Sequence, residues 1–427
     1  MRIGICGAGT VAQGVVQILR DQNGLMSRLN PDPIEVVALA SRRNLNVPVF
    51  EGIPFVDDIF ALAEREDIDV LVELIGGTDD AFTLVKAALA NGKSVVTANK
   101  ALLAHHGAAL FQIAREHEVS LLFEAAVCGG IPIIKALNES FVGNRVKGIA
   151  GIINGTTNFI LTKMAQQGQN GAFDAVLAEA QRLGYAEADP TFDIGGMDAA
   201  HKLAIMASLA FDEPLQIDAI YVEGIESVTS DDHEWAEQLG FSIKHLGIAL
   251  ADDGGIEMRV HPALVPNGSQ LASIQDVTNA VNVLADPLGE VLLTGAGAGA
   301  GPTGSSVVSD LFDLAAGCAR KPPPPLMSLT STRAAKSIEH TVSGWMVRVD
   351  VPDESGAMSE VASVLAEYGL SIDQIQQRDS AGGMATVALI LDPVQEDQLR
   401  SALSNLESRS NVAGTRAIRV FDPRAVG

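Results

Sequence analysis

Residues 2–19, RIGICGAGTVAQGVVQIL, place a glycine-rich turn between an apolar run and a helical pattern. The apolar run Arg2–Cys6 predicts a strand, and the spacing of apolar residues over Val11–Leu19 predicts a helix. In such a turn the first glycine permits the sharp bend, and the second lets the backbone approach a pyrophosphate at the helix N-terminus. An ordinary strand–helix turn that favours glycine is the alternative. The candidate dinucleotide contacts are Gly7, Gly9, Thr10 and Val11.

Strand and helix patterns continue to alternate up to residue 128. Further strands are expected at Glu35–Ala40, Asp69–Leu74, Ser94–Thr97 and Leu121–Ala126, with helices at Phe60–Arg65 and Ala81–Ala90. Strands that alternate with helices form a parallel sheet with helices on both faces. Residues 1–128 are therefore predicted to form a Rossmann-type doubly wound parallel sheet that binds NAD(P).

The end of the second predicted strand bears on which dinucleotide binds. A site specific for NAD usually has an Asp or Glu there to hold the ribose 2′-hydroxyl. This chain instead has Ser41, Arg42 and Arg43. Two guanidinium groups suit a 2′-phosphate, so Arg42 and Arg43 favour NADP. NAD stays open, as does a solvated basic turn without a ligand.

Residues 129–304 mix helices and strands and predict an α+β domain. Helices are expected at Ile131–Phe141, Asn158–Gln167, Phe173–Leu183 and Asp198–Leu209, and strands at Val146–Ile153, Ile243–Ala251, Glu257–Val265 and Val281–Leu284. The glycine-rich run Gly295–Gly304 closes this segment. A helix predicted over 305–317 is expected to pack back on the first domain.

Lys321 and the prolines Pro322–Pro325 mark the clearest boundary, because consecutive prolines cannot join a helix or a central strand. Residues 318–343 are therefore predicted to be a linker. Residues 344–427 then read strand, helix, strand, strand, helix, strand, at Trp345–Val351, Ala357–Tyr368, Leu370–Gln377, Met384–Leu391, Gln395–Leu406 and Ala417–Phe421. This βαββαβ order is typical of a ferredoxin-like domain.

Composition and charge exclude several classes of protein. The 427 residues carry 53 acidic and 29 basic side chains, and the net charge of −24 disfavours binding to nucleic acid or to anionic lipid. The longest uncharged stretch, Val291–Ser309, is broken by glycines and Pro302, so no membrane span is expected. Three scattered cysteines and an N-terminus without a signal-peptide pattern predict a reduced, cytoplasmic protein.

The densest group of charged residues lies between Gly184 and Lys202, where four carboxylates surround the start of a predicted helix. Asp198 and Lys202 are four residues apart, so they share a helix face and the carboxylate can orient the lysine. Partial burial and a second cation would lower the pKa of Lys202 towards the range of proton transfer. An exposed ion pair is the alternative. Lys100 follows the strand Ser94–Thr97, at the edge where such sheets bind ligands, although a surface lysine would also fit there.

Ordered motifs make the chain resemble homoserine dehydrogenase over nearly its whole length. They are Thr97–Lys100 (TANK), Glu124–Ile134 (EAAVCGGIPII), Gly151–Leu161 (GIINGTTNFIL), the acidic loop up to Lys202, and the glycine-rich run that ends in Pro302-Thr303. The resemblance implies reversible, NAD(P)-dependent interconversion of L-homoserine and L-aspartate 4-semialdehyde. It also implies that residues 129–304 are the catalytic and dimerisation domain of a homodimer or homotetramer.

The same resemblance implies roles for individual residues. Lys202 would donate or accept the proton at the C4 oxygen, and Lys100 would assist it. Glu187 and Asp198 would hold the amino and hydroxyl ends of the substrate, with support from Asp189. Further substrate contacts would come from Asp193, Asn154, Gly155 and Thr156. A further cofactor contact would come from Lys100, and Gly184, Gly299 and Gly301 would approach the cofactor or hinge the two domains.

Glu124, with the backbone carbonyls of Val127, Gly129 and Ile131, matches a monovalent-cation site of that family, expected to hold sodium. A loop whose carbonyls bind water is the alternative. Cys128 stands where the family usually has Gly or Ala. A nucleophilic Cys128 would instead indicate an acylating aldehyde dehydrogenase, but no activating His or cation neighbours it in sequence.

Residues 344–427 resemble an ACT domain, an amino-acid-sensing module. Gly356, in the turn Asp353–Met358, would let a ligand approach the helix start, and Ser371–Gln374 would face a paired module. The effector implied by the resemblance is L-threonine, and a dimerisation domain without a ligand is the alternative. Two other functions stay open: an NADP-linked oxidoreductase of another amino-acid-derived alcohol or aldehyde, and a non-catalytic nucleotide and amino-acid sensor. A sensor has no need of a proton-transfer lysine such as Lys202.

Overall fold

The computed structural model describes residues 1–22, 33–42, 47–319, 326, 333–380 and 383–422. Arg43, Lys321 and the proline run Pro322–Pro325 lie outside these described residues. Within the described ranges, no helix has the length and apolar character needed to cross a membrane.

A parallel six-stranded sheet forms the N-terminal part of the molecule. Its strands are β1 Arg2–Cys6, β2 Glu35–Ala40, β3 Phe55–Val56, β4 Val70–Glu73, β5 Ser94–Thr97 and β6 Leu121–Leu122. The helices among them are α1 Thr10–Asp21, α2 Ala61–Glu64, α3 Asp79–Ala90 and α4 Lys100–Glu116. The spatial order β3-β2-β1-β4-β5-β6, with all pairs parallel, confirms the predicted Rossmann-type sheet.

Both faces of this sheet are buried, which explains why its strands are almost continuously apolar. On β4, Val72 packs on the face covered by α1, whereas Leu71 packs with Leu84 of α3 on the opposite face. The first face is also covered by a late helix, α11 (Ala300–Ala315). A Cβ on Gly14 of α1 would overlap the backbone of Ala300, so glycine permits the close approach of these two helices.

A ten-stranded sheet runs through the rest of the chain. Its strands are β7 Arg145–Ile152, β8 Tyr221–Val222, β9 Phe241–Asp252, β10 Gly255–Pro266, β11 Thr278–Asp286, β12 Gly289–Ala296, β13 Val342–Pro352, β14 Ile372–Ser380, β15 Met384–Gln395 and β16 Gly414–Val420. The spatial order is β12-β11-β7-β9-β10-β16-β13-β15-β14, with β8 paired to β10. The helices of the middle segment are α5 Ile133–Lys135, α6 Gly155–Gln167, α7 Phe173–Arg182, α8 Thr191–Ile194, α9 Met197–Phe211 and α10 Ser230–Gln238.

The C-terminal unit has the predicted βαββαβ order, with α12 at Ala357–Glu367 and α13 at Glu396–Glu407. Its antiparallel strands lie in the order β16-β13-β15-β14, which confirms the ferredoxin-like fold. Its edge strand β16 pairs in parallel with β10, through Ala263 with Arg419 and Leu264 with Val420. This short ladder joins the C-terminal unit and the middle segment into one sheet.

Several elements differ from the predictions. The strand predicted over Leu121–Ala126 ends at Leu122, because residues Glu124–Ala126 form a 3₁₀ turn whose first backbone N–H donates to Asp310 (2.9 Å). Strand β12 was not predicted, since it is a half-exposed edge strand with a weak apolar pattern. Helices α4 and α10 were also not predicted. Helix α10, SDDHEWAEQ, is mostly polar, which removes the periodic apolar signal.

Candidate active site

The first glycine-rich turn has the geometry of a phosphate-binding turn. Gly7 has a φ of +110°, and a Cβ there would lie 2.6 Å from the carbonyl oxygen of Leu74. Gly9 precedes α1 and has no neighbouring atom within 4 Å of a Cβ position. Thr10 is exposed and Val11 is half-buried in the first turn of the helix. The helix N-terminus is therefore open to an anion.

Arg42 follows the end of β2, and its side chain reaches the start of α3. Its side chain is 77% exposed and forms an ion pair with Asp80. Asp80 thus competes with any anion for this guanidinium group. Its predicted partner Arg43 lies outside the described residues.

Glu73, at the end of β4, is a buried carboxylate that the sequence interpretation missed. It accepts hydrogen bonds from the Thr97 hydroxyl (2.5 Å) and from the backbone N–H groups of Ile75 (2.9 Å) and Gly76 (3.2 Å). Burial raises its pKa. An acidic residue at the end of an otherwise apolar strand was the available signal. Glu73 ties β4 to β5 at the edge where α4 begins.

Three charged side chains from two parts of the chain meet beside that edge. Asp198 Oδ2 accepts a hydrogen bond from Lys202 Nζ at 2.8 Å, and Asp198 Oδ1 lies 3.0 Å from Lys100 Nζ. The side chains of Asp198 and Lys202 are 6% and 11% exposed, and that of Lys100 is 29% exposed. One carboxylate therefore faces two ammonium groups, and we call these three residues the substrate cluster.

The ends of three helices bring the substrate cluster together. Lys100 is the first residue of α4, where Asn99 caps the helix by accepting from the N–H of Leu102 (3.0 Å). Asn154 caps α6, and its side-chain amide donates to Asp198 Oδ2 (2.7 Å) and to Asp193 Oδ1 (2.8 Å). Asp198 and Lys202 lie on α9, as the sequence predicted.

The charged groups of the substrate cluster shift one another's pKa values. Burial alone would lower the pKa of Lys202, but the adjacent Asp198 carboxylate reverses the shift and raises it. Burial would likewise raise the pKa of Asp198, but Lys202 and Lys100 hold it well below its usual range. The expectation that Lys202 has a lowered pKa is therefore wrong, because the neighbouring negative charge, chiefly that of Asp198, outweighs burial. Burial raises the pKa of Asp193, the next carboxylate outward.

The other predicted substrate residues lie at the start of α6 and in the loop before α8. Thr156 donates its hydroxyl proton to the carbonyl of Tyr185 (2.7 Å), and Gly155 begins α6 where a Cβ would lie 2.8 Å from the carbonyl oxygen of Val277. Asp189 accepts from the N–H of Thr191 (3.1 Å) and so orders the loop. Glu187 is exposed, and within the described residues no hydrogen bond or ion pair joins its carboxylate to the substrate cluster.

Helix α9 also presents His201, which lies about 100° around the helix from Lys202. Its ring packs edge-on against His105 and Phe192, with centroids 5.1 and 5.3 Å apart. Burial lowers the pKa of His201 to about 4, so it is neutral at physiological pH. The Phe192 ring also lies 5.8 Å from Lys100 Nζ. These rings form an aromatic wall beside Lys100, which sequence reasoning missed.

Glycines predicted to contact the cofactor lie at turns. Gly184 has a φ of +78° after α7, and Gly299 has a φ of +123° before α11. Neither Gly184 nor Gly301 has a neighbour within 4 Å of a Cβ position, so both face open space. The segment before Gly299 contacts the predicted cation loop, because a Cβ on Gly129 would lie 2.5 Å from the carbonyl oxygen of Gly297.

The predicted cation loop surrounds a buried carboxylate. Glu124 is 2% exposed and accepts from the N–H groups of Ile134 (3.0 Å) and Lys135 (2.7 Å), and burial raises its pKa to about 7. Burial also raises the pKa of the neighbouring Asp310 to about 8. The carbonyl of Gly129 already accepts from the Ser306 hydroxyl (2.6 Å). Two buried carboxylates beside carbonyl oxygens form a donor set that fits a hard cation.

Backbone oxygens would supply most of such a coordination sphere. Across the part of the chain that the structure describes, no three His, Cys, Asp or Glu side chains are grouped as metal ligands. The Ile131 carbonyl accepts from the N–H of Ile133 (2.8 Å) and keeps a second lone pair.

Cys128 is buried within this loop and adopts a left-handed conformation, with a φ of +54°. Burial raises the pKa of its thiol to about 11. A thiol that stays protonated at neutral pH is a poor nucleophile, so the geometry disfavours an acylating aldehyde dehydrogenase.

The comparisons with known proteins indicate one enzyme family. Family models match residues 7–124 (homoserine dehydrogenase, NAD-binding domain), 132–312 (homoserine dehydrogenase) and 345–410 (ACT domain). The homoserine dehydrogenase of Pseudomonas aeruginosa is 45% identical over 422 residues, which are 97% of each chain.

Solved structures show the same likeness. The crystal structure of a homoserine dehydrogenase from Thiobacillus denitrificans has a TM-score of 0.93 at 40% identity, covering 100% of this chain and 99% of that one. A hyperthermophilic archaeal homoserine dehydrogenase in complex with NADPH has a TM-score of 0.63 at 26% identity, covering 75% of this chain and 99% of that one. The chain belongs to the homoserine dehydrogenase family of NAD(P)-dependent oxidoreductases.

Proposed function

We propose that the substrate cluster interconverts L-homoserine and L-aspartate 4-semialdehyde reversibly. The observation that carries the proposal is that Asp198 is shared by Lys202 and Lys100. Reduction of an aldehyde develops negative charge on its oxygen, which a nearby cation stabilises and then protonates. Two ammonium groups held by one carboxylate supply that positive charge.

Lys202 is the proton donor in the reducing direction and the acceptor in the oxidising direction. An ammonium group has three N–H donors, and those of Lys202 bond to Asp198 and to the carbonyl of Ile153 (2.8 Å). The third donor is free for the C4 oxygen of the substrate. Lys100 adds charge from the nucleotide-binding side of the site. A bound nicotinamide supplies the hydride acceptor or donor.

The substrate ammonium group needs carboxylates around it. Asn154 donates to Asp193 as well as to Asp198, so these two carboxylates are neighbours. Glu187 is exposed, and among the described residues no side-chain contact holds it. We assign Asp193 and Glu187 to the amino end of the substrate. Gly155 and Thr156 shape the adjoining wall at the start of α6, and Asp198 serves the hydroxyl end.

The direct test of this function follows the absorbance of reduced nicotinamide with L-homoserine as substrate. The expected result is homoserine-dependent reduction of NADP or NAD. Turnover with another amino-acid-derived alcohol but not with homoserine would favour a different NADP-linked oxidoreductase. Tight dinucleotide binding without any turnover would favour a sensor.

We propose NADP as the preferred dinucleotide, bound by the turn at Gly7 and Gly9 with Arg42 and Arg43 beside it. An archaeal relative was solved with NADPH, and Arg42 is exposed enough to leave Asp80 for a 2′-phosphate. Arg42→Ala should lower kcat/KM for NADP about tenfold or more while sparing NAD, as expected for loss of a charge-assisted bond. Arg20→Ala, also on the surface of this domain, is the control. An unchanged NADP-to-NAD ratio in Arg42→Ala contradicts the assignment.

We propose that Glu124 and the carbonyls of Val127, Gly129 and Ile131 hold a monovalent cation, sodium. Its chemistry would be electrostatic: it would keep buried carboxylates ionised and fix the loop that contacts Gly297. Sodium chloride should raise the Tm above that in tetramethylammonium chloride of equal ionic strength. Glu124→Gln should remove this difference, and an equal Tm in both salts contradicts the site.

We propose that L-threonine inhibits the enzyme through the ACT domain. Gly356 has a φ of +103° in an open turn before α12, and β14 is an edge strand of the sheet, free to pair with a second module. Threonine should lower the rate and raise the Tm of the wild type. No change in rate, Tm or oligomer size would contradict regulation and favour a ligand-free dimerisation domain.

The remaining assignments are also proposals. We infer a homodimer or homotetramer in the cytoplasm, with domains at 1–128, 129–304 and 344–427 and a linker at 318–343. Light scattering tests the oligomeric state, and limited proteolysis tests the boundaries, because cleavage should concentrate within 318–343.

A further inference from the structure

A buried arginine of the ACT domain contacts the catalytic segment. The Arg419 side chain is 5% exposed and bonds to both oxygens of Glu396 (2.7 and 3.0 Å) within its own domain. Its Nη1 donates to Glu223 Oε2 (2.8 Å), and its Nη2 lies 3.3 Å from the Tyr221 hydroxyl. The guanidinium group also contacts the rings of Tyr221 and Trp345, whose centroids are 5.0 and 4.9 Å away. Its position is therefore fixed from every side.

Glu223 is held at its backbone as well as at its side chain. Its N–H donates to the carbonyl of Val260 (2.8 Å), and its own carbonyl lies 3.0 Å from His245 Nε2. The carboxylate also bonds to the Tyr221 hydroxyl at 3.1 Å. Its side chain is 37% exposed, beside a cavity of about 210 Å³ between the two domains. Glu223 is thus one point where the ACT domain holds the segment that follows β8, and Arg416 adds a second by donating to the carbonyl of Ser227.

That segment lies directly against residues 187–198, which carry Asp193 and Asp198 and which we call the substrate loop. The N–H of Ile225 donates to the carbonyl of Ile194 (2.9 Å), and a Cβ on Gly224 would lie 2.6 Å from the same oxygen. Ile194 ends α8, the short helix that carries Asp193. Because the contact is between backbones with no side chain between them, a shift of residues 223–225 displaces α8 directly.

The start of α9 rests on the same surface. Gly196 precedes α9 with a φ of +90°, and a Cβ there would lie 2.9 Å from a methyl group of Val222 and 3.3 Å from the His245 ring. Asp198 follows two residues later. The segment 221–225 therefore supports both carboxylates of the substrate loop, Asp193 through Ile194 and Asp198 through Gly196.

We propose that Arg419 and Glu223 are positioning residues for the dehydrogenase reaction: the ACT domain sets the placement of Asp193 and Asp198 through this ion pair. The inference rests on the proposed substrate role of those two carboxylates. It makes the ACT domain a structural part of the substrate site even without an effector. Arg419 touches neither substrate nor cofactor, so its effect is on binding geometry.

The test compares variants of Glu223, whose side chain is 37% exposed and whose removal leaves the buried Arg419 paired with Glu396. Glu223→Ala should raise KM for homoserine about three- to tenfold, because displacements below an ångström already cost activity. KM for NADP should stay within about twofold, since the nucleotide turn is remote from this contact. Glu223→Gln keeps an acceptor of the same size for Arg419 and should recover most of the wild-type KM.

Arg400→Gln is the matched control. Arg400 bonds to the same Glu396 as Arg419 (2.9 Å through Nε) but does not reach Glu223, and its side chain is 57% exposed. It should leave both KM values unchanged. A homoserine KM of wild-type size in Glu223→Ala, or an equal rise in both KM values, overturns the proposal.

Asp193→Asn separates this inference from the proposed substrate role. If Asp193→Asn raises KM for homoserine and Glu223→Ala does not, the positioning link is wrong while the substrate role stands. If Asp193→Asn leaves KM unchanged, the substrate role of that carboxylate is wrong, and the inference falls with it.

Discussion

Two buried clusters of charge have opposite composition. In the substrate cluster, one carboxylate, Asp198, faces two lysines. In the second cluster, which we call the junction cluster, one guanidinium group, Arg419, faces the two carboxylates of Glu223 and Glu396. Both lie where separate parts of the chain meet, and both would be costly to bury without pairing.

The difference lies in how much bonding capacity each cluster leaves unused. Lys202 can lose a proton and keeps a free N–H donor. Arginine is not deprotonated in proteins, and Arg419 uses its planar group in four hydrogen bonds. In the roles proposed above, a lysine stands where a proton must move, and an arginine stands where a position must be kept. The following predictions test that distinction.

The largest effect is expected from Lys202→Ala. Loss of the proton donor should lower kcat by about two to four orders of magnitude. Some stability should be lost, because the raised pKa of Lys202 means that its pairing with Asp198 stabilises the fold. The loss should be small, because Asp198 keeps Lys100 and Asn154 as partners. Initial rates and thermal unfolding measure both, with Lys147→Ala, an exposed ion-pair variant, as the control. Retained turnover would refute the acid–base role, and a large loss of Tm would show that Lys202 is mainly structural.

For Arg419→Met, the main loss is expected in stability and not in kcat. Removing one partner of a buried ion pair should cost about 3–5 kcal/mol in the free energy of unfolding, because Glu396 is fully buried. Arg400→Gln removes an exposed partner of the same carboxylate and should cost less than about 1 kcal/mol. Urea unfolding followed by circular dichroism compares the two. Equal losses would mean that the junction cluster contributes little beyond surface charge.

These clusters also differ in how far the sequence predicts them. Asp198 and Lys202 are four residues apart on a recognisable helix, so their contact follows from helical geometry. The motif at Lys100 adds the third member only through resemblance to a family. Helical geometry predicted the pairing. The separate expectation that burial and a second cation would lower the Lys202 pKa was wrong, since the shift depends on distances within the buried cluster.

The junction cluster was not predicted at all. Glu223, Glu396 and Arg419 come from three distant segments, and none belongs to a motif. Their meeting depends on the pairing of β10 with β16, a tertiary contact that local propensity and periodicity do not encode. For the same reason, two units that read as separate across a proline-rich segment share one sheet.

A smaller effect is expected from pH, and its sign follows from the pKa shifts. The raised pKa of Lys202 keeps it protonated at neutral pH, ready to donate in the reducing direction. Oxidation of homoserine needs the neutral amine, so its kcat/KM should rise up to about tenfold per pH unit above neutrality. The kcat/KM for reduction of the semialdehyde should stay constant near neutral pH. It should fall only at the alkaline pH where Lys202 loses its proton. A level oxidation profile between neutral and alkaline pH would contradict this role.

The same shifts set a window of stability. A raised lysine pKa stabilises the fold below the unfolded pKa of about 10.4, and that stability is lost as pH rises through the folded value. The lowered pKa of Asp198 stabilises it above about 3.9, and that stability is lost as pH falls. Between these two pH limits, ionisation of Lys202 and Asp198 should not change the Tm.

The smallest effect is expected from Glu187→Ala, because Glu187 lies outside both clusters. An exposed carboxylate that binds the substrate ammonium acts through solvent-screened attraction, so KM for homoserine should rise about three- to tenfold with kcat nearly unchanged. Asp174 is also an exposed carboxylate and lies on α7. As the control, Asp174→Ala should change neither KM nor kcat. A fall in kcat instead would place Glu187 in the reacting geometry, and the division between a buried reactive cluster and an exposed binding loop would no longer hold.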